Sequence, residues 1–170
     1  MADFFVGNND KIDFQDLMGH RVHEILLVAS PYDAFILEED GHLTEQILTE
    51  YIGMNFNYAP RVTRVSTGQE AIKIITKKKF DLVIVMLRIE DQDPISLGKK
   101  IKDLYPKKPV ILLAFDETEL KQLPNNISPN AINRVFILSG DASVFPAIIK
   151  YIEDRKNDII NKNNKSILLV

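Results

Sequence analysis

The stretch Phe80-Asp81-Leu82-Val83-Ile84-Val85-Met86-Leu87-Arg88, followed by Ile89-Glu90-Asp91-Gln92-Asp93-Pro94, decides the fold of this 170-residue chain. Phe80 and the unbroken run Leu82 to Leu87 are apolar, interrupted only by Asp81, and the run is too short to span a bilayer. It suits a strand buried on both faces of a parallel sheet. Asp93-Pro94 then supplies an N-cap followed by proline at the first helical position. In open α/β sheets, ligands bind beyond the carboxyl ends of such strands. A site is therefore expected around Met86 to Asp91, with Met86 at its centre.

The same pattern repeats on either side. Glu24 to Ala29 reads as a first strand, stopped by Ser30-Pro31 because proline cannot continue a central strand. Tyr32 to Asp40 is apolar in its middle and acidic at its end, with Glu38, Glu39 and Asp40 read as complementing a helix N-terminus. A helix from Asp40 or Gly41 would place Leu43, Ile47, Leu48 and Tyr51 on one face. Arg61 to Val65 reads as a short second strand. Thr67-Gly68-Gln69-Glu70 has capping-box spacing and opens a helix with Ala71, Ile72 and Ile75 inward. Leu97, Ile101 and Leu104 form the inner stripe of the helix after Pro94, which Pro106 ends. Pro109 to Phe115 and Arg134 to Leu138 read as strands four and five. Asp116 to Leu123 forms a short acidic turn or helix, and Asn125 to Asn133 a polar loop. A final helix buries Val144, Phe145, Ile148, Ile149 and Ile152, and the sequence turns polar from Glu153 to Lys165, as a helical or flexible linker does. Five alternations of strand and helix with continuous apolar strands imply a doubly wound, five-stranded parallel α/β sheet.

Composition narrows function. The net charge of −3 argues against nucleic acid as a partner. Lysines gather at Lys77–Lys79, Lys99-Lys100 and Lys107-Lys108, each at an expected helix end, where cations favour the dipole. Without cysteine there is no disulfide, thiolate catalysis or cysteine-ligated zinc. The N-terminus lacks a charged segment followed by a long apolar one, so export is not expected and a cytoplasmic location is.

With the strands placed, residues 23 to 155 resemble the receiver domain of two-component response regulators. Ser66 to Ile72 resembles that family's entry into its second helix, Phe80 to Leu87 its phospho-acceptor strand, and Pro109 to Leu113 its fourth strand. The resemblance implies a flavodoxin-like (βα)5 arrangement with strand order 2-1-3-4-5. Ser139-Gly140-Asp141-Ala142 and Ile148 to Asp154 are further similar to receiver-like modules of tandem-receiver proteins joined to phosphoenolpyruvate- or pyruvate-binding regions. Such a module would have an N-terminal arm at residues 1–22, a receiver-like domain at 23–155, and a linker at 156–170. Ile167-Leu168-Leu169-Val170 repeats the Ile25-Leu26-Leu27-Val28 of strand one, as the start of a second receiver-like domain or as an edge strand.

The resemblance also implies a chemistry: an aspartate ending strand three attacks a phosphoryl donor, and acids ending strand one help to hold Mg²⁺. A hydroxyl after strand four and a lysine after strand five contact the phosphoryl group. Met86 stands at the acceptor position, Ala29 and Ser30 at the acidic pair, Ala114 at the hydroxyl and Ser139 at the lysine. Sliding strand three by one or two residues brings only Val85, Leu87 or Arg88 into place. A thioether cannot accept a phosphoryl group, so the domain reads as a non-enzymatic pseudo-receiver without cofactor or metal. It would work through other domains of its polypeptide or a signalling protein, or as a homodimer through its last helix, without nucleic acid or membrane. The alternatives are a true receiver using Asp91 or Asp33, and a small-molecule sensor with its pocket under Tyr32 to Asp40.

Other groupings have plainer readings. Glu90, Asp91 and Asp93 could hold a divalent metal, but suit a solvated loop that caps the next helix. His20, His23 and His42 lack metal-ligand spacing. Ser30, Ser139 and Asp141 are not accompanied by a Gly-x-Ser-x-Gly elbow, and there is no glycine-rich phosphate loop.

Overall fold

The computed structural model describes residues 19–39, 42–53, 59–139 and 143–167. The expected arm therefore lies almost wholly outside the described residues, as do Asp40, Gly41, Asp141 and residues 168–170. The elements are β1 (Glu24–Val28), α1 (Pro31–Glu39), α2 (Leu43–Gly53), β2 (Arg61–Val65), α3 (Gly68–Ile75), β3 (Leu82–Met86), α4 (Pro94–Leu104), β4 (Val110–Ala114), α5 (Glu117–Leu120), β5 (Arg134–Ile137) and α6 (Val144–Ile167). All strands are parallel, in the order β2-β1-β3-β4-β5. This is the doubly wound sheet that the strand pattern implies, in the flavodoxin-like order that the resemblance implies.

Central strands β1, β3 and β4 are buried on both faces because each lies between two others. Successive side chains alternate between two apolar cores. Ile25, Leu27, Ile84, Met86 and Leu113 join Leu37, Leu43, Ile47, Phe145 and Ile149 on the side of α1, α2 and α6. Leu26, Val28, Val83, Val85 and Leu112 join Ala71, Ile75, Leu97 and Ile101 on the side of α3 and α4. β2, with one neighbour, has no fully buried residue.

The helix starts follow local chemistry. Thr67 Oγ1 accepts from the Glu70 N–H at 3.1 Å, and Asp93 Oδ2 accepts from the Ser96 N–H at 2.8 Å with Pro94 following. Three expectations need correction. Tyr32 to Glu39 falls within α1, so Glu38 and Glu39 sit at a helix C-terminus, the unfavourable end for carboxylates. Glu38 is compensated there by an ion pair with Arg64 and a 2.9 Å hydrogen bond from the Thr44 hydroxyl. Leu48 and Leu104 are exposed rather than inward, Leu104 as the last residue of its helix. In the expected polar loop, Ala131 and Ile132 are buried, and Asn133 pairs with Val110 through both its backbone and its side chain.

Among the described residues, those from 22 to 152 belong to one compact unit, and 19–21 with 153–167 to another. Helix α6 is continuous from Val144 to Ile167, so the polar stretch after Glu153 is helical within the described residues. In the second unit, the His20 N–H donates to Asn157 Oδ1 at 2.7 Å. No helix among the described residues is long and apolar enough to cross a membrane.

Candidate functional site

The carboxyl edge of the sheet collects the positions that the strand ends single out. Val28 lies beside Val85, and Met86 beside Leu113, so Ala29 and Met86 stand at one level with Ala114 a residue beyond. Met86 is 1% exposed, Ala29 2% and Ala114 0%. None brings an oxygen donor from its side chain. The half-buried Ser30 donates its N–H to the Arg88 carbonyl at 3.2 Å. Ser139 is exposed and holds a left-handed backbone (φ 51°) two residues past β5. The structure thus brings Ala29, Met86 and Ala114 together and leaves Ser139 outside the core.

Charged groups do occur at this edge, at other positions. Arg88, two residues past Met86, donates through Nε (2.9 Å) and Nη2 (2.6 Å) to Glu119 Oε1 on α5. The other oxygen, Glu119 Oε2, accepts from the Phe115 N–H at 2.8 Å. The Arg88 guanidinium also lies 5.7 Å from the centre of the Phe115 ring. The Glu119 hydrogen bond and charge push the Arg88 pKa up. This clasp ties the end of β3 to the segment after β4. Its partners are 31 residues apart, and only an arginine directly after an apolar strand hinted at it.

Asp33, in the first turn of α1, is 0% exposed. Its N–H donates to the Ser30 hydroxyl at 3.1 Å, while neither carboxyl oxygen has a hydrogen-bond partner of ordinary geometry. Burial dominates and pushes the carboxyl up; the Ser30 hydroxyl and Arg88 act in the opposite sense, and Glu119 adds to the rise.

The acidic loop after β3 is structural. Asp91 accepts from the N–H groups of Gly68 (2.7 Å) and Gln69 (3.0 Å), capping α3 from a distant loop. These bonds hold its carboxyl below the usual range. Asp93 caps α4. Among the described residues no group of three or more His, Asp or Glu side chains is placed to hold a metal ion. A groove of about 470 Å³ lies beside the clasp, with Arg88, Asp93, Glu119 and Gln122 as its polar walls and Ile95 and Leu123 among its apolar ones.

On this strand order the fold is that of the receiver domains of two-component signalling proteins. A two-component response regulator from Clostridium difficile is 20% identical with TM-score 0.57, the match covering 79% of this chain and 98% of that one. The receiver domain of a sensor histidine kinase from Pseudomonas aeruginosa, with a magnesium ion coordinated in its active-site cleft, is 17% identical with TM-score 0.55, covering 78% and 98%. A protein from a family of streptococcal redox sensors evolved from two-component response regulators is 18% identical with TM-score 0.58, covering 83% and 55%. No protein-family model and no curated protein matches the sequence.

Proposed function

We propose that this chain is a receiver-like signalling module of a bacterial two-component or phosphorelay-type protein that has lost the phosphorylation chemistry and acts through protein–protein or domain–domain contact. The observation that carries the reading is Met86, 1% exposed and packed with Ala29 and Leu113 where the fold's acceptor would stand. Magnesium is a hard cation that takes oxygen ligands, and the side chains of Ala29, Met86 and Ala114 offer none. The residues present do not fit the ion. Nor do the substitute acceptors suit the task, since both Asp91 oxygens are engaged by backbone N–H groups and Asp33 is sealed from solvent. The streptococcal redox sensors give a precedent in the same fold for descent from response regulators into a different task.

The face proposed for contact is formed by α5, β5 and the first half of α6. The Arg134 guanidinium lies 5.6 Å from the Phe136 ring and 5.0 Å from Tyr151, and the two rings meet edge-on at 5.8 Å. Arginine and tyrosine are enriched among residues that dominate binding energy. On the likeness of Ser139 to Ala142 and Ile148 to Asp154, the wider setting is a tandem-receiver protein with a phosphoenolpyruvate- or pyruvate-binding region. The module is non-catalytic and cytoplasmic in this account.

Magnesium titration followed by amide NMR tests the reading. The amides of Ala29, Met86 and Arg88 are expected to stay unmoved up to millimolar Mg²⁺. Saturable shifts confined to these three would mean that the pocket retains its ion and the reading is wrong.

A further inference from the structure

The unused group in this edge is Asp33. A carboxylate removed from water needs a counter-ion or donors, and neither oxygen of this one has a hydrogen-bond partner of ordinary geometry, although Arg88 acts on it electrostatically. The Ser30 N–H holds the Arg88 backbone against the start of α1 at 3.2 Å, and Arg88 acts electrostatically on Asp33. Yet the guanidinium is committed elsewhere, with two of its nitrogens on Glu119 Oε1. Asp33 and Glu119 thus both act on one arginine, and only Glu119 is hydrogen-bonded to it.

The groups acting on Asp33 are few. Ser30 comes from its own turn, Arg88 from the turn after β3, and Glu119 from α5; Tyr32 acts on Arg88 alone. Just past β5, Leu138 is buried and apolar and brings no charge. With Arg88 on Glu119, burial and the Glu119 charge both favour the protonated form of Asp33, against the pull of the Ser30 hydroxyl and Arg88. When that proton leaves, two carboxylates compete for one guanidinium. The Arg88 side chain is mostly exposed, 59%, so the clasp with Glu119 and not core packing sets its position.

We propose that Asp33, Arg88 and Glu119 form a proton-operated clasp, in which protonated Asp33 leaves Arg88 on Glu119 and ionised Asp33 draws Arg88 away. The consequence falls on α5. Glu119 Oε2 accepts the Phe115 N–H, so moving Arg88 leaves the Glu119 charge uncompensated and loosens the turn between β4 and α5. In this way a single buried carboxyl couples pH to the segment that borders the proposed contact face. The clasp does not depend on whether the domain can be phosphorylated.

The test is a pH titration of the full chain by carbon- and nitrogen-detected NMR, reading the Asp33 carboxyl carbon, the Arg88 Nε and the Phe115 amide together. The expected result is an Asp33 midpoint above the usual carboxylate range, with Arg88 and Phe115 moving at that same midpoint. In Asp33→Asn, which keeps size and removes the titration, both responses are lost. In Arg88→Gln, which removes the competing cation, the Asp33 midpoint rises further, so the proposal stays testable if the first variant fails to fold. An Asp33 that ionises within or below the usual range overturns the proposal. So do Arg88 and Phe115 signals that stay still through the Asp33 midpoint, or an unshifted midpoint in Arg88→Gln.

Discussion

Restoring the fold's acceptor by Met86→Asp exposes the physical difference between this edge and a phosphorylation pocket. Met86 is 1% exposed in the core shared by Ala29, Leu37 and Phe145. Removing its side chain from that core costs about 2–3 kcal/mol of apolar burial. A carboxyl in its place finds no oxygen-bearing side chain on Ala29 or Ala114, so even its neutral form adds about 1–3 kcal/mol. The ionised form costs several kcal/mol more even after relaxation. The expected loss is about 3–6 kcal/mol with the carboxyl neutral and larger at pH 7.5, against about 5–15 kcal/mol for the stability of a whole domain. With a urea slope of about 2 kcal/mol/M, the neutral-form loss alone lowers the unfolding midpoint by roughly 1.5–3 M. The new carboxyl titrates higher in the folded state than in the unfolded one, so the loss is smaller near pH 4.5 and grows as pH rises through the raised value. Met86→Leu, which conserves volume, costs under about 1.5 kcal/mol. Urea melts of the three proteins at both pH values check this, together with phosphorylation of Met86→Asp by a small acyl-phosphate donor. A variant as stable as the parent that gains a Mg²⁺-dependent phosphoryl adduct would refute the reasoning, because the pocket would then hold both charge and metal.

Further expectations follow from close contacts and caps. An added Cβ at Gly98 would meet the Ala131 carbonyl oxygen at 2.5 Å, so Gly98→Ala should destabilise by about 1–3 kcal/mol, despite alanine's advantage of about 1 kcal/mol in a helix; an unchanged or higher melting temperature would contradict that packing. Asp91→Ala leaves the Thr67 cap but removes the acceptors of the Gly68 and Gln69 N–H groups at the start of α3, and should cost about 1 kcal/mol at pH 7. Because the folded-state carboxyl lies below the usual range, that contribution is present above the unfolded value and lost as pH falls through the lowered one. Thermal melts of Asp91→Ala and parent should therefore converge in acid, and a gap that persists at low pH would count against the cap. Glu119→Ala strips Phe115 N–H of its acceptor and should cost about 1–3 kcal/mol, with Glu119→Gln recovering part of it; equal losses in the two variants would deny the hydrogen bond its role.

The sheet was legible because β1, β3 and β4 are continuous apolar runs, the signature of strands buried on both faces. β2 reads less cleanly because it is an edge strand with one neighbour. α1 was not legible as a helix, since it inverts the usual pattern: Tyr32 and Phe35 are exposed while Asp33 is buried, and Glu38 and Glu39 stand at the wrong end. What stabilises Glu38 is Arg64, on a strand beyond another helix, which no local spacing announces. The positions of Met86, Ala29 and Ala114 at one edge follow from strand register and were readable from the strand ends. The Arg88–Glu119 clasp and the sealed Asp33 were not, because they join residues from three separate turns. The acidic loop shows the reverse case, in which a metal-like run resolves into two helix caps, Asp91 for α3 and Asp93 for α4.

The most direct measurement is the intact mass of the full chain after incubation with Mg²⁺ and a small acyl-phosphate donor. A module whose acceptor position is a buried methionine is expected to show no phosphoryl adduct under conditions that fully modify a phosphorylatable receiver domain run alongside. A stoichiometric, Mg²⁺-dependent adduct would contradict the account, and the residue carrying it would locate the acceptor that Met86 has been taken to replace.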